Sequence, residues 1–400
     1  MRRNSATPFR IFEISDGSGA GPTVTIAGLT ISNGASPGGG GGIQNDHGTV
    51  VVRDCVVTGN QTSLVAYTFG GGIYNWGGRM TIERCTVAGN LSKFGGGVAS
   101  TRAEQGTAAL IIRSSTISDN TAEGGSGGGV YNDAAGADRL AQMVLFNCTL
   151  SGNNATSAGV AGGSGGAVYN GASDSGYSEL ELRDCTIANN DAPAAGGIYN
   201  NNFSATAAVV RLENSLLQTG MTGGNFINSN GNIFSLGNNL SNDAAGDATN
   251  TGMGPGGFLN QPGDIRNTNA LLGPLQDNGG ATFTHALLSG SPAINAGNND
   301  GAAEDQRSYL RIGLNDIGAF EFDGIQLRIT DMARSGNDIV VTFQAAGAMG
   351  YSLQRKLALP DVAWETVTDV MVQSDGPAQV THVGGATASK AFYRVARPEA

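Results

Sequence analysis

Lysine is almost missing from this chain: of 22 basic residues only Lys93, Lys356 and Lys390 are lysines, and 33 acidic residues leave a formal charge of −11. So little basic charge gives no footprint for a phosphate backbone or for anionic lipid headgroups, which excludes nucleic acid and charged membrane surfaces as partners. No run of about 18 apolar residues occurs, so no segment reads as a transmembrane helix. Cysteine is limited to four and histidine to three, with no histidine near a cysteine, so no zinc-type spacing is present and no cofactor is expected on that count. Charged residues make up only 14% against 40% hydrophobic ones, the reverse of a disordered composition. The abundant residue is glycine, 64 of 400, yet it has no three-residue period and proline is only 11, which excludes collagen. The opening Met1-Arg2-Arg3-Asn4-Ser5-Ala6-Thr7-Pro8 has the basic residues of an export signal but no apolar stretch after them. An acidic, lysine-poor surface suits an extracellular or cell-surface protein, with its signal expected upstream of this chain.

Two patterns recur along the first half. One reads Met80-Thr-Ile-Glu-Arg-Cys-Thr-Val-Ala-Gly-Asn90, and again from Val24, Val50, Leu110, Met143, Leu180 and Val210. The other is Gly-Gly-(Ile/Val)-(Tyr/Gln/Ala)-(Asn/Ser), ending at Asn45, Asn75, Ser100, Asn132, Asn170 and Asn200. Within a unit apolar residues alternate (Met80, Ile82), skip one place, and alternate again (Cys85, Val87), which predicts two short strands meeting at a bend. Units of three short strands cannot bury a core alone, so they must stack. The expected architecture is all-β, a right-handed parallel β-helix with one coil per repeat. Asn60, Asn90, Asn120, Asn153 and Asn190 then stack as an amide ladder at one corner. Cys55, Cys85, Cys148 and Cys185 share an inward position with Leu29, Ser115 and Ser215. Parallel stacking holds their Cβ atoms too far apart for disulfides, so they read as free thiols. The Gly before each Ile or Val is expected to turn the chain with positive φ.

Beyond residue 243 the stretch Leu272-Gly-Pro-Leu-Gln-Asp-Asn-Gly-Gly-Ala-Thr-Phe-Thr-His-Ala-Leu-Leu-Ser-Gly-Ser-Pro-Ala-Ile-Asn-Ala-Gly297, then Asp305-Gln306-Arg307 and Asp316-Ile-Gly-Ala-Phe-Glu321, closely resembles the terminal region of the choice-of-anchor Q family of bacterial surface proteins. That resemblance implies an extracellular right-handed β-helix of the pectin-lyase-like superfamily, with His285 in a structural role. The expected domains are a β-helix over residues 1–322 (repeats about 11–243, family-specific region about 244–322) and a second module over 323–400. Short strands separated by turn signals over Ile325–Thr330, Asp338–Phe343, Gly350–Arg355, Trp364–Val372, Ala378–His382 and Ala391–Val395 predict a small β-sandwich that resembles immunoglobulin-like or fibronectin-like modules, with Trp364 in its core in preference to an exposed platform for a sugar.

The superfamily invites an enzyme reading, a polysaccharide lyase or glycoside hydrolase. Such a site needs gathered carboxylates, and the rows flanking the cysteines (Arg53, Glu83, Arg113, Phe146, Arg183, Glu213; Asp54, Arg84, Ser114, Asn147, Asp184, Asn214) nowhere collect three acids. The preferred reading is a non-catalytic adhesin, glycan-contacting or structural stalk. Tyr74, Tyr131, Tyr169 and Tyr199 repeat in one register, either as a platform for sugar rings or as a lateral aromatic stack. Asn298, Asp300, Glu304 and Asp305 offer closely spaced oxygen ligands for Ca²⁺, or simply a turn. Asp305, Arg307 and Asp316 are expected to pair and seal the last coil. An open first coil near residues 11–34 would expose a strand edge, so self-association through that end is a further expectation.

Overall fold

The computed structural model describes the chain apart from residues 5–6, 18–20, 65–66, 103–105, 138, 157–162, 204–206, 248–251, 348, 359–362, 389 and 398–400. It is all-β and falls into two compact units, Met1–Arg307 with Gly313–Phe322, and Ser308–Ile312 with Asp323–Ala400.

The first unit is a parallel β-solenoid of about seven turns. One coil illustrates it: Ile73–Trp76, Arg79–Glu83, Thr86–Ala88 and Leu91–Ser92 each join a different sheet. The first three sheets have eight strands and the fourth has five. We call them the motif face, the charged face, the threonine face and the short face. Equivalent residues pair across coils, as in Met80 with Val50 and Leu110. Ile82, Val87, Val98, Ile112, Val130 and Leu145 are fully buried in the shared core.

The bend between the charged and threonine faces is left-handed: Asp54, Arg84, Ser114, Asn147, Asp184 and Asn214 have φ of 47–54°. Asn and Asp tolerate that region, which explains their frequency there. The glycine preceding each Ile or Val does not have positive φ; the residue two places earlier does, at Gly40, Gly70, Gly95, Gly127, Gly165 and Ala195. The preceding glycine is needed for closeness instead. A Cβ on Gly72 would lie 2.7 Å from the carbonyl oxygen of Gly97 in the next coil.

Asn60, Asn90, Asn120, Asn153 and Asn190 form the expected ladder, each Nδ2 donating to the next Oδ1 at 2.9–3.1 Å. The backbone N–H of each also donates to that Oδ1, so buried amides are satisfied on both sides. Cys55, Cys85, Cys148 and Cys185 are buried free thiols. The Cys85 thiol donates to the Glu83 carbonyl at 3.2 Å, and its sulfur accepts the Cys55 N–H at 3.4 Å; the neighbouring Cys55 thiol, together with burial, pushes the Cys85 thiol up, and burial pushes Cys185 up. Leu29, expected in the same inward row, is 36% exposed. A second ladder was not anticipated: Asn45 donates to Asn75 (2.8 Å), Asn75 to Ser100 (3.2 Å), Asn132 to Asn170 (2.8 Å) and Asn170 to Asn200 (2.9 Å). Its signal was the invariably polar last residue of the Gly-Gly-Ile-Tyr-Asn motif.

The region after residue 243 does two things. Ala245 and Leu259 complete the core at the last coil, where Phe258 meets Phe226 edge-on at 6.0 Å. The chain then runs back along the threonine face. Gln306 Nε2 donates to Thr116 (2.9 Å), and its oxygen accepts from Thr149 at 2.6 Å. Thr186 accepts the N–H of Ala319 at 3.0 Å. His285 Nδ1 donates to the Gly273 carbonyl at 2.7 Å, and in the neutral ring its Nε2 accepts from Ser151 at 2.9 Å. Burial accordingly lowers its pKa.

In the second unit two three-stranded antiparallel sheets, Arg328–Ser335 with Asp338–Ala345 and Gly376–His382, and Glu365–Val372 with Met349–Lys356 and Phe392–Ala396, enclose Val341, Phe343, Tyr351 and Leu353. Leu310 from the earlier stretch is buried among them. Trp364 is not in this core. It is half-buried, with Lys356 and Arg394 over its ring at 5.0 and 4.6 Å, an arrangement that keeps both charges in water.

Candidate functional site

The motif face presents two outward rows, because residues two apart on a strand share a face. The first holds Tyr74, Ala99, Tyr131, Tyr169 and Tyr199 in register. The second holds Trp76, Thr101, Asp133, Gly171, Asn201 and Ser229. The tyrosine rings stack on one another: Tyr131 and Tyr169 lie 4.8 Å apart at 6°, Tyr169 and Tyr199 5.8 Å apart at 5°. Ala99 interrupts the row, and the gap is filled from the connectors by Phe69 and Phe94, which contact Tyr131 at 5.8 and 5.3 Å. Tyr74, Tyr131 and Tyr169 are 6–8% exposed. The tyrosines are therefore a lateral stack that turns edges and hydroxyls, not open faces, toward solvent. As a flat platform of sugar-stacking rings the row is corrected.

Above these edges runs a groove. Over Tyr131, Tyr169 and Tyr199 it encloses about 1080 Å³, walled by Phe69, Phe94, Ser126 and Ser164. It continues into a second hollow of about 540 Å³ over Tyr74 and Trp76 that shares Tyr67, Phe69, Asp133 and Ala135 with the first. Four coil steps of about 4.8 Å separate Tyr74 from Tyr199, roughly 19 Å. Two aromatic rings on its rim are open, Tyr67 at 81% and Phe203 at 73% exposure. Asp133 is the one carboxylate among the described lining residues; Arg10 and Lys93 are the cations. Arg10 is already engaged by Glu13 at 3.0 Å and by the Gly39 carbonyl.

Hydroxyls on the floor are mostly occupied. Tyr74 shares a proton with Thr101 at 2.7 Å, and Tyr169 accepts from Asn201 at 3.1 Å. Desolvation pushes the Tyr74 hydroxyl up to about 12 and those of Tyr131 and Tyr169 well up, so all three stay neutral. Desolvation, with the charge of Asp174, pushes Asp133 up to about 7. Sequence reading passed over Asp133, although it lies two residues beyond a motif tyrosine and so on the same outward face.

The other expected sites resolve differently. Asp300, Glu304 and Asp305 do not converge, and no group of three or more His, Cys, Asp or Glu does so among the described residues. Asn298 exchanges hydrogen bonds with Asn214 at 2.9 Å and donates to Glu213. Asp305 is buried and receives Arg307 at 2.6 and 2.8 Å together with the Glu321 N–H. Arg307 donates to the Glu321 carbonyl at 2.6 Å and covers the Phe320 ring at 3.6 Å. Asp316 accepts the N–H groups of Asn295 and Phe322. These acids brace the returning segment; the end of the last coil is closed by Phe258 and Leu259 instead. On the charged face Arg113 meets Glu83 at 3.0 Å and Arg183 meets Glu213 at 3.2 Å, cross-coil pairs between opposite charges.

No family profile, no curated protein and no solved structure matches the chain.

Proposed function

We propose that this chain is a non-catalytic glycan-contacting solenoid that lays a sugar chain along the motif-face groove. The observation that carries the reading is the groove itself: an elongated trough, aromatic on its floor and one wall, with Tyr67 and Phe203 exposed at its rim. Open rings at a rim offer apolar faces to pyranose rings, while floor hydroxyls and amides take their polar groups. A single carboxylate among the described lining residues favours binding over hydrolysis, since glycosidic cleavage by acid and base needs two. The acidic, lysine-poor composition and the choice-of-anchor Q resemblance support an extracellular or cell-surface stalk of the pectin-lyase-like type. The two antiparallel sheets of the second unit support an immunoglobulin-like sandwich used for attachment.

The test is incubation of the full chain with immobilised neutral, pectic and alginate-type polysaccharides, with and without Ca²⁺, measuring protein retained and reducing ends released. Retention on at least one polymer with no new reducing ends is expected. No retention on any would sink the reading, and cleavage would replace it with a lyase or hydrolase.

A further inference from the structure

Two of the chain's three lysines, Lys356 and Lys390, meet on one face of the second unit. Tyr393 and Val395 pack on the core, so Phe392 and Arg394, which alternate with them along Phe392–Ala396, face outward. Phe392 stands opposite Lys356, and Arg394 opposite Gln354. On the far side of that central strand Arg355 stands opposite Glu365, which brings Trp364 level with Lys356. The outer face thus joins two aromatic rings to three cations: Lys356 and Arg394 lie over Trp364 at 5.0 and 4.6 Å, and Lys390 lies over Phe392 at 5.0 Å. Arg394 and Lys390 are exposed, while Lys356, Trp364 and Phe392 are half-buried.

None of these cations has a carboxylate partner among the described residues. Glu365 gives its carboxylate to Arg355 at 2.9 Å, and Asp369 accepts from Ser352. Arg394 donates its Nε to Gln354 at 2.7 Å, which leaves the end of its fork to solvent; Lys356 and Lys390 make no hydrogen bond among the described residues. Cations gathered without counter-charge repel one another, and contact with the rings anchors their stems while the N–H donors stay in water. We propose that this face binds an acidic polysaccharide, a strand of uronate units. Each such unit carries an apolar ring face, which packs on Trp364 or Phe392, and a carboxylate at its edge, which takes charge-assisted hydrogen bonds from Arg394 and the lysines. Three cations on a chain of charge −11 are a small footprint for a duplex or a bilayer, which engage many phosphates at once, but they match one polysaccharide strand. The inference stands apart from the groove reading and assigns a ligand class to the attachment module.

Binding of the full chain to polygalacturonate and to a neutral β-glucan is measured from about 20 to 500 mM NaCl, with melting curves for every variant. Wild type should bind polygalacturonate, more weakly as salt rises. Lys356→Gln with Arg394→Gln should weaken that binding at least about 10-fold. Arg328→Gln with Arg334→Gln removes the same charge from exposed positions on the other sheet and should change it less than about 2-fold. Trp364→Ala with wild-type melting should weaken it about 5-fold or more, Lys356→Arg should retain it, and β-glucan retention should be unchanged in every variant. Equal loss in the two double variants would reduce the effect to net charge and overturn the site. Absence of wild-type binding to polygalacturonate at low salt would overturn it too, with the groove reading still judged on the neutral polymer. Loss of a dimer in sedimentation by the Lys356→Gln, Arg394→Gln variant, with polygalacturonate binding unchanged, would overturn it in favour of an acidic second copy of the chain.

Discussion

The threonine face and the motif face belong to the same coils, yet one is closed by its own chain and the other is open. On the first, Thr116, Thr149 and Thr186 are buried and each finds Gln306 or a backbone group of the returning segment. On the second, Asp133 and Tyr131 line the open groove. Both faces carry regular rows of polar side chains. What separates a closed face from an open one is whether the protein itself supplies the complementary partners.

The largest effect should come from breaking the closed face. Arg307→Ala leaves Asp305 buried without its cation and should cost about 3–5 kcal/mol in urea unfolding. In protein that remains folded, polysaccharide retention should not change. A loss below about 0.5 kcal/mol would show that this brace holds nothing. Asn120→Ala strikes the scaffold common to both faces. It strands the Asn90 amides and should cost about 1–3 kcal/mol per unsatisfied group, read from the same urea transition.

Acid and base sharpen the contrast, because the two faces respond in opposite directions. His285 is held neutral with its pKa lowered, so below its ordinary value near 6.5 the unfolded chain takes a proton that the fold refuses. That contribution is present above pH 6.5 and is lost on acidification. Asp133 is raised from 3.8 to about 7, so between those values the fold holds a proton that the unfolded chain has released, and stability falls as pH rises. Asp133→Asn should therefore raise stability at pH 8 by on the order of 1–3 kcal/mol after allowance for its partial exposure, read as a higher melting temperature, and give no gain at pH 4. His285→Gln should remove part of the acid sensitivity. A gain at pH 4 equal to that at pH 8 would count against a raised Asp133. The smallest effect belongs to the charged face, where Glu83→Ala, though it meets Arg113, should change stability by less than about 1 kcal/mol because the partner is half exposed.

The ladders were legible because each depends on one position repeated per coil: Asn60 predicts Asn90 whatever lies in the connector. The coils themselves were readable from alternation at Met80 and Ile82 for the same reason. Contacts that join distant segments left no such trace. Nothing local in Asp305-Gln306-Arg307 says that Gln306 meets Thr116, so Asp305 and Arg307, with Asp316, were expected at the end of the last coil rather than on the flank of the middle ones. Orientation was equally hidden. Register placed the tyrosines together, but whether rings show faces or edges depends on the coil spacing and on Phe94, which enters from a connector. Trp364 was expected in the core, whereas Lys356 and Arg394 over its ring mark its half-buried place.

The returning segment also sets an order of assembly. Each coil bonds to a neighbour about thirty positions away, as Asn60 does to Asn90, and such contacts can form one after another along the chain. Gln306 must instead find Thr116 across 190 positions. It has no surface to recognise until the threonine faces of several coils are aligned, and closing so long a loop carries its entropic cost in a single step. Folding should thus have a fast phase that zips the coils and a slower one that fastens the segment across them. During the interval between the two, the threonine face would be the adhesive side of the molecule.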